Sequence, residues 1–253
     1  MNPQELYLFD LMGYLVVESV LTEQALVSLN EIFTQRQQAE ADPNACKWRL
    51  GCREIGGSGS DLLEWGEPYL QLLNHPCLMP YLRTLLGDRL RLDHTYAEYM
   101  RQGAQGLYLH GGATPYDPAQ YYHCQNGRMY NGLVAVVWAL EDVPPGAGGF
   151  CCIPGSHKSQ FFCPEAVRSL DPLSPWIQQV PVKAGSVILF TEALTHGALP
   201  WVANSERRSL FYKYSPGHLS WAKRYYANHD GLGLVEQQLL EPPYVQQRTA
   251  IKD

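Results

Sequence analysis

Three residues of this 253-residue chain have types and positions that could do chemistry together: His110, His196 and Arg207. His110 closes Gly106-Leu107-Tyr108-Leu109-His110, a strand-like segment that runs into Gly111-Gly112. His196 comes shortly after the apolar run Val187-Ile188-Leu189-Phe190. Both imidazoles thus fall at strand-to-loop junctions, where a β scaffold can aim them into one cavity around a shared metal ion. Arg207 stands eleven residues after His196. On a neighbouring strand its planar guanidinium would give the distal carboxylate of a dicarboxylate a two-pronged grip. Taken singly, each histidine is more often a structural or surface residue, and composition alone favours an ordinary surface pair for Arg207-Arg208.

The elements that must position these groups change character along the chain. Phe9 to Val17 reads as a turn and a short strand. Thr22 suits an N-cap, and Ala25, Leu26, Leu29, Ile32 and Phe33 keep helical spacing towards Gln38. Residues 41–60 are loop-like and suit part of a lid. A second helix is expected from His75-Pro76 to just before Gly87. From Arg89 onward the period becomes that of strands: Arg89–His94, Gly132–Leu140, Gly149–Ile153, Ser186–Phe190 and Ser209–Tyr214, punctuated by Pro144-Pro145-Gly146, Pro154-Gly155 and Ala184-Gly185. Helices followed by many short strands indicate a mainly β fold with flanking helices, a jelly roll or barrel. One domain over 1–253 is expected, with a helical part at about 20–87, a β core at about 89–215 and a C-terminal extension over 216–253.

Composition narrows the partners. The net charge of −6 with scattered basic residues argues against a nucleic-acid partner, which needs a concentrated basic face. No apolar run approaches the roughly 18 residues of a membrane span, and MNPQELYLFD has no basic segment typical of a leader. A cytoplasmic protein is expected. The seven cysteines form no CxxC pair and read as small hydrophobes in a reducing compartment.

The run Ala139-Leu140-Glu141-Asp142 through Gly148-Gly149 to Pro154-Gly155-Ser156-His157-Lys158 resembles the signature of the phytanoyl-CoA dioxygenase family. Phe9-Asp10-x-x-Gly13-Tyr14, Leu85-Leu86-Gly87-Asp88 and Val182-Lys183-Ala184-Gly185-Ser186 are similar to that family too, so the likeness extends to about residue 215. The resemblance implies a double-stranded β-helix, the cupin-like jelly roll, with iron(II) and 2-oxoglutarate as cofactors. It implies a His-x-Asp pair, a distant His and an Arg about eleven residues later. These fall on His110, His196 and Arg207, but Gly112 stands where the carboxylate belongs. By analogy Tyr130 and Asn131 contact the co-substrate, while His123 reads as a substrate contact or the group behind a ligand. As an alternative first ligand His123 fits less well, because Gln125 follows it at the carboxylate position. Trp138, with Tyr108, Tyr116, Tyr121 and Tyr122, could wall a substrate site.

The substitution at Gly112 leaves three outcomes. A carboxylate borrowed from elsewhere, with Asp117 the nearest candidate, would keep the enzyme a hydroxylase. A chloride ion in the vacated position would make it a C–H halogenase. Loss of the chemistry would leave a small-molecule binding protein that uses Arg207 as an anion anchor.

Overall fold

The computed structural model describes residues 1–53, 60–112, 114–170, 174–226 and 231–251. Its centre is a six-stranded antiparallel sheet in the order β1 (Tyr14–Val17), β10 (Val187–Thr191), β7 (Val134–Ala139), β12 (Arg207–Pro216), β3 (Leu90–Met100), β2 (Lys47–Leu50). A four-stranded sheet runs β4 (Leu107–His110), β11 (His196–Leu199), β8 (Gly149–Cys152), β9 (Gln178–Gln179), and β5 (Tyr122–Gln125) forms a hairpin with β6 (Arg128–Asn131). The two larger sheets close on each other as the expected jelly roll.

Strand parity divides the six-stranded sheet into two faces. On β12, Leu210, Tyr212 and Tyr214 turn outward onto helices α2 (Glu23–Glu40), α3 (Glu67–Leu70) and α4 (Met79–Leu86), in one cluster with Leu29, Phe33, Tyr69, Leu82 and Leu85. The buried phenols have partners there: Tyr212 donates to the Tyr69 carbonyl at 2.7 Å and Tyr214 to that of Leu73 at 2.6 Å. The alternate residues, Arg207, Ser209, Phe211 and Lys213, face the interior between the sheets. The adjacent arginines are therefore neither a pair nor on the surface. Arg207 points inward, while Arg208 donates to Thr34 at 2.9 Å and to Gln37 at 3.2 Å on α2.

The N-terminal part differs from the sequence reading in three places. Pro3–Met12 is a helix, α1, opened by a capping box between Asn2 and Glu5 and ended at Gly13, whose φ of +83° is open to glycine at little cost. Only Tyr14–Val17 of that stretch is strand. Within the loop-like 41–60 segment, Lys47–Leu50 pairs with β3 as an edge strand, whereas 54–59 lie outside the described residues. The helix expected from His75 begins at Met79, where Pro80 fits the first turn. No described helix is long and apolar enough to cross a membrane.

Candidate active site

Antiparallel register brings the two histidines together: His196 on β11 lies directly opposite His110 on β4, with ring centroids 4.3 Å apart. Each ring is held from behind. His110 Nδ1 is 3.1 Å from the Tyr108 carbonyl and His196 Nδ1 is 2.7 Å from that of Leu194, so both Nδ1 atoms donate. Both Nε2 atoms then carry a free lone pair, the arrangement of metal-ligating histidines. Burial pushes the His196 imidazole down to about 3 and lowers that of His110 as well, so both stay neutral and able to ligate.

These rings form one wall of a cavity of about 170 Å³. Phe150 and Phe190 pack against the His196 ring, with centroids 6.0 and 4.6 Å away, and the lining also carries Tyr96, Glu98, Arg207 and Lys213. Arg207, buried at 3% exposure, places Nη1 3.3 Å from Glu98 Oε1, and Lys47 and Arg49 approach Glu98 Oε2 at 3.7 and 3.6 Å. Among the described residues the lining carries three cations, Arg49, Arg207 and Lys213, against two carboxylates, Glu98 and Glu192. Excess positive charge beside a neutral imidazole pair suits an anionic ligand whose carboxylate the Arg207 guanidinium would hold.

The donor set fits iron(II) with 2-oxoglutarate: two oriented imidazoles and a buried guanidinium line one cavity. Among the described residues, no three His, Cys, Asp or Glu side chains are already gathered at ligand distance.

The chain matches the phytanoyl-CoA dioxygenase family over residues 9–209. It belongs to that family. A curated relative, dioxygenase af480 of Aspergillus fumigatus, is 27% identical over an alignment of 219 positions that covers 82% of this chain; the chain spans 64% of that relative's length. HygX from Streptomyces hygroscopicus, solved with nickel and 2-oxoglutarate bound, superimposes with a TM-score of 0.77 at 23% identity, over 87% of this chain and 89% of that one. The epimerase SnoN, in complex with Fe3+, alpha-ketoglutarate and nogalamycin RO, superimposes at 0.63 with 17% identity over 98% of each chain. These solved structures share the fold.

Other residues singled out in the sequence lie apart from this family site. Trp138 on β7 has the parity of the helix-facing side, where it meets His75 and Tyr212 edge-on at 5.3 and 6.5 Å. Asn131 is occupied with the Leu85 carbonyl at the end of α4, at 3.0 Å, and lines a separate surface pocket with Tyr130. His123 sits exposed on β5, its ring 6.2 Å from that of Tyr130. Asp117 accepts from the Ala119 N–H at 2.7 Å and borders an adjoining cleft with Gly112, not the histidine cavity.

Sequence reasoning missed Glu192, Lys213, Glu98 and Arg49. Glu192 could have been found. The alternation Ile188-x-Phe190-x-Glu192 sets a lone carboxylate on the cavity face of an otherwise apolar strand, four residues before His196.

His157, within the family's signature block, serves the scaffold. Its Nε2 donates to the Asp10 carbonyl at 3.0 Å, and its ring meets Tyr122 edge-on at 4.6 Å, tying the turn to the end of α1. Burial pushes its imidazole down to about 4. An unfolded histidine titrates near 6.5, so between pH 6.5 and 4 the unfolded chain binds the extra proton. The stability contributed by the neutral ring is complete above pH 6.5 and lost as pH falls towards 4, on the order of 3 kcal/mol. Urea unfolding of wild type and His157→Gln at pH 7 and pH 4.5 is expected to show the larger acid loss in wild type; equal losses would rule this contribution out.

Proposed function

We propose that the protein is an iron(II)- and 2-oxoglutarate-dependent dioxygenase acting on a small molecule. The observation that supports this most directly is the His110–His196 pair, both Nδ1 atoms engaged by backbone carbonyls, facing a cavity that holds the buried Arg207.

His110 and His196 would hold the metal through Nε2, and Arg207 would bind the distal carboxylate of 2-oxoglutarate. Phe150 and Phe190 line the same cavity, and their apolar rings would exclude water around the bound co-substrate and help to orient it. When bound, iron(II) with 2-oxoglutarate and dioxygen supplies the oxidation, in which the co-substrate is converted to succinate and CO2 and the second oxygen atom goes to a substrate C–H bond, giving an alcohol. At about 170 Å³ the cavity is of cofactor size, below the roughly 300 Å³ at which sites for drug-sized ligands begin. The adjoining cleft of about 680 Å³ begins at Gly111, Gly112 and Thr195 and is walled by Tyr116, Phe161 and Phe162. It is the candidate seat of the substrate. HygX and SnoN have been solved with hygromycin B and a nogalamycin compound, respectively, and a multi-ring, partly polar substrate suits an aromatic-walled cleft of this size.

Gly112 supports a second reading. A chloride ion in the position that the family's carboxylate fills would direct the oxidation to C–H halogenation.

Anaerobic addition of iron(II) and then 2-oxoglutarate is expected to produce a metal-to-ligand charge-transfer band in the green, and admission of oxygen to release succinate. Both should vanish in His196→Ala. A correctly folded wild type that gives neither band nor succinate would overturn the reading and favour a metal-free binding protein.

A further inference from the structure

We propose that Glu192 supplies the carboxylate that position 112 lacks, completing a metal site of His110, Glu192 and His196. The inference rests on the iron/2-oxoglutarate reading and decides between its two outcomes.

Glu192 directly follows β10 and continues its cavity-facing parity after Ile188 and Phe190. A tight turn, with Leu194 N–H donating to the Thr191 carbonyl at 2.9 Å, then reverses the chain so that His196 starts β11. Glu192 and His196 are thereby set on the same side. Glu192 Oε2 lies 3.9 Å from His196 Nε2, with both side chains almost fully buried. Two donors on one ion, each about 2.1 Å from it and at right angles, are roughly 3 Å apart. A shift of about 1 Å in one side chain, within reach of a rotamer adjustment, therefore brings Glu192 and His196 to the spacing of two ligands, with the His110 ring beside that of His196 at 4.3 Å between centroids.

The other oxygen is already placed for this role. Lys213 Nζ is 2.7 Å from Glu192 Oε1, which fixes the carboxylate and leaves Oε2 on the side of the His196 ring, as outer partners of ligating carboxylates do.

Position 112 is poorly suited to a ligand side chain. Gly112 has φ +106°, a conformation that residues with a Cβ rarely adopt, and the preceding Gly111 lies against the backbone of the 192–194 turn. The carboxylate has in effect changed sides, from the loop after the first histidine to the turn before the second. With that position filled, no vacancy is left for halide, and the expected reaction is hydroxylation. The space at Gly112 opens instead to the adjoining cleft, where it admits substrate.

Cobalt(II), titrated without oxygen or 2-oxoglutarate and followed by its visible absorption, tests the assignment independently of turnover. Glu192→Gln is expected to weaken cobalt binding by about 100-fold, as should His196→Ala. An effect under tenfold in Glu192→Gln, with His196→Ala impaired, overturns the Glu192 assignment and leaves the oxygenase reading standing. If neither substitution matters, both fall. Glu192→Asp keeps the charge opposite Lys213 and covers the case in which the glutamine variant misfolds. It should weaken cobalt binding at least tenfold, and unchanged affinity would overturn the proposal. Chloride should leave the wild-type cobalt spectrum unchanged, whereas a chloride-dependent shift would return the third position to halide.

Discussion

Arg207→Ala is expected to leave iron(II) binding intact and to weaken 2-oxoglutarate binding by about 30- to 1,000-fold. Arg207 is buried within β12 and directed into the cavity, so a carboxylate bound there meets its guanidinium with little competing water. Truncating one member of a buried, hydrogen-bonded charge pair costs about 2–4 kcal/mol, and each 1.4 kcal/mol is a factor of ten. The fold should survive, because Glu98 keeps Lys47 at 3.7 Å and Arg49 at 3.6 Å. Arg207→Lys should fall between wild type and alanine, since an ammonium keeps the charge but not the two-pronged geometry. An anaerobic 2-oxoglutarate titration of the charge-transfer band reads the affinity directly. If alanine left it unchanged, the co-substrate would have to be anchored elsewhere in the same cavity, with Lys213 and Arg49 the remaining cations.

That such a pocket exists was legible from a few residues. The signature ending in Pro154-Gly155-Ser156-His157-Lys158 points to the family and the fold, and the eleven-residue interval from His196 to Arg207 picks out a guanidinium that lines the same cavity as both histidines. What was not legible lies mostly in long-range pairing. Arg49 belongs to a segment read as loop, and it enters the cavity wall because 47–50 adds to the edge of β3 far along the chain. Tyr130 and Asn131 are expected at the co-substrate by analogy with the family, and Trp138 as an aromatic on the strand that follows the His110 loop. A hairpin and the parity of β7 carry them elsewhere: Asn131 to the end of α4 and Trp138 to the helix-facing side of the sheet. Asp117 failed as a cavity carboxylate for a local reason, since a short polar side chain in a turn readily binds its own backbone two residues on. Glu192 is the opposite case. It was visible as an acidic residue at the end of an apolar strand, but a search for His-x-Asp looks downstream of the first histidine and never upstream of the second.

The neighbouring glycines of the His110 loop should respond very differently to alanine. At Gly111 a Cβ would come within 2.7 Å of the carbonyl oxygens of Glu192 and Leu194 and 3.2 Å of His196 Nδ1. All belong to the turn that carries the proposed carboxylate and orients the second histidine. The Leu194 carbonyl accepts the His196 Nδ1 proton at 2.7 Å, so the added methyl pushes on the contact that aims Nε2. The positive φ of +77° adds strain of its own, roughly 1 kcal/mol for a residue with a Cβ, and forcing a methyl into packed backbone costs about 1–3 kcal/mol more. At Gly112 the nearest atom is Thr195 Oγ1 at an ordinary 3.4 Å, so only the backbone strain of roughly 1–2 kcal/mol remains. Gly111→Ala should therefore lower the melting temperature by about 5–15 °C at 2–4 °C per kcal/mol, and weaken cobalt binding by about 10- to 100-fold by misdirecting a ligand. Gly112→Ala should cost a few degrees and leave metal affinity within about threefold of wild type, because position 112 contributes space to the cleft and no ligand to the ion. Thermal unfolding and metal titration of the two variants side by side would decide this. A larger loss of metal affinity at 112 than at 111 would mean that the metal's third position lies on the loop side after all, and that the turn at Glu192 is only its support.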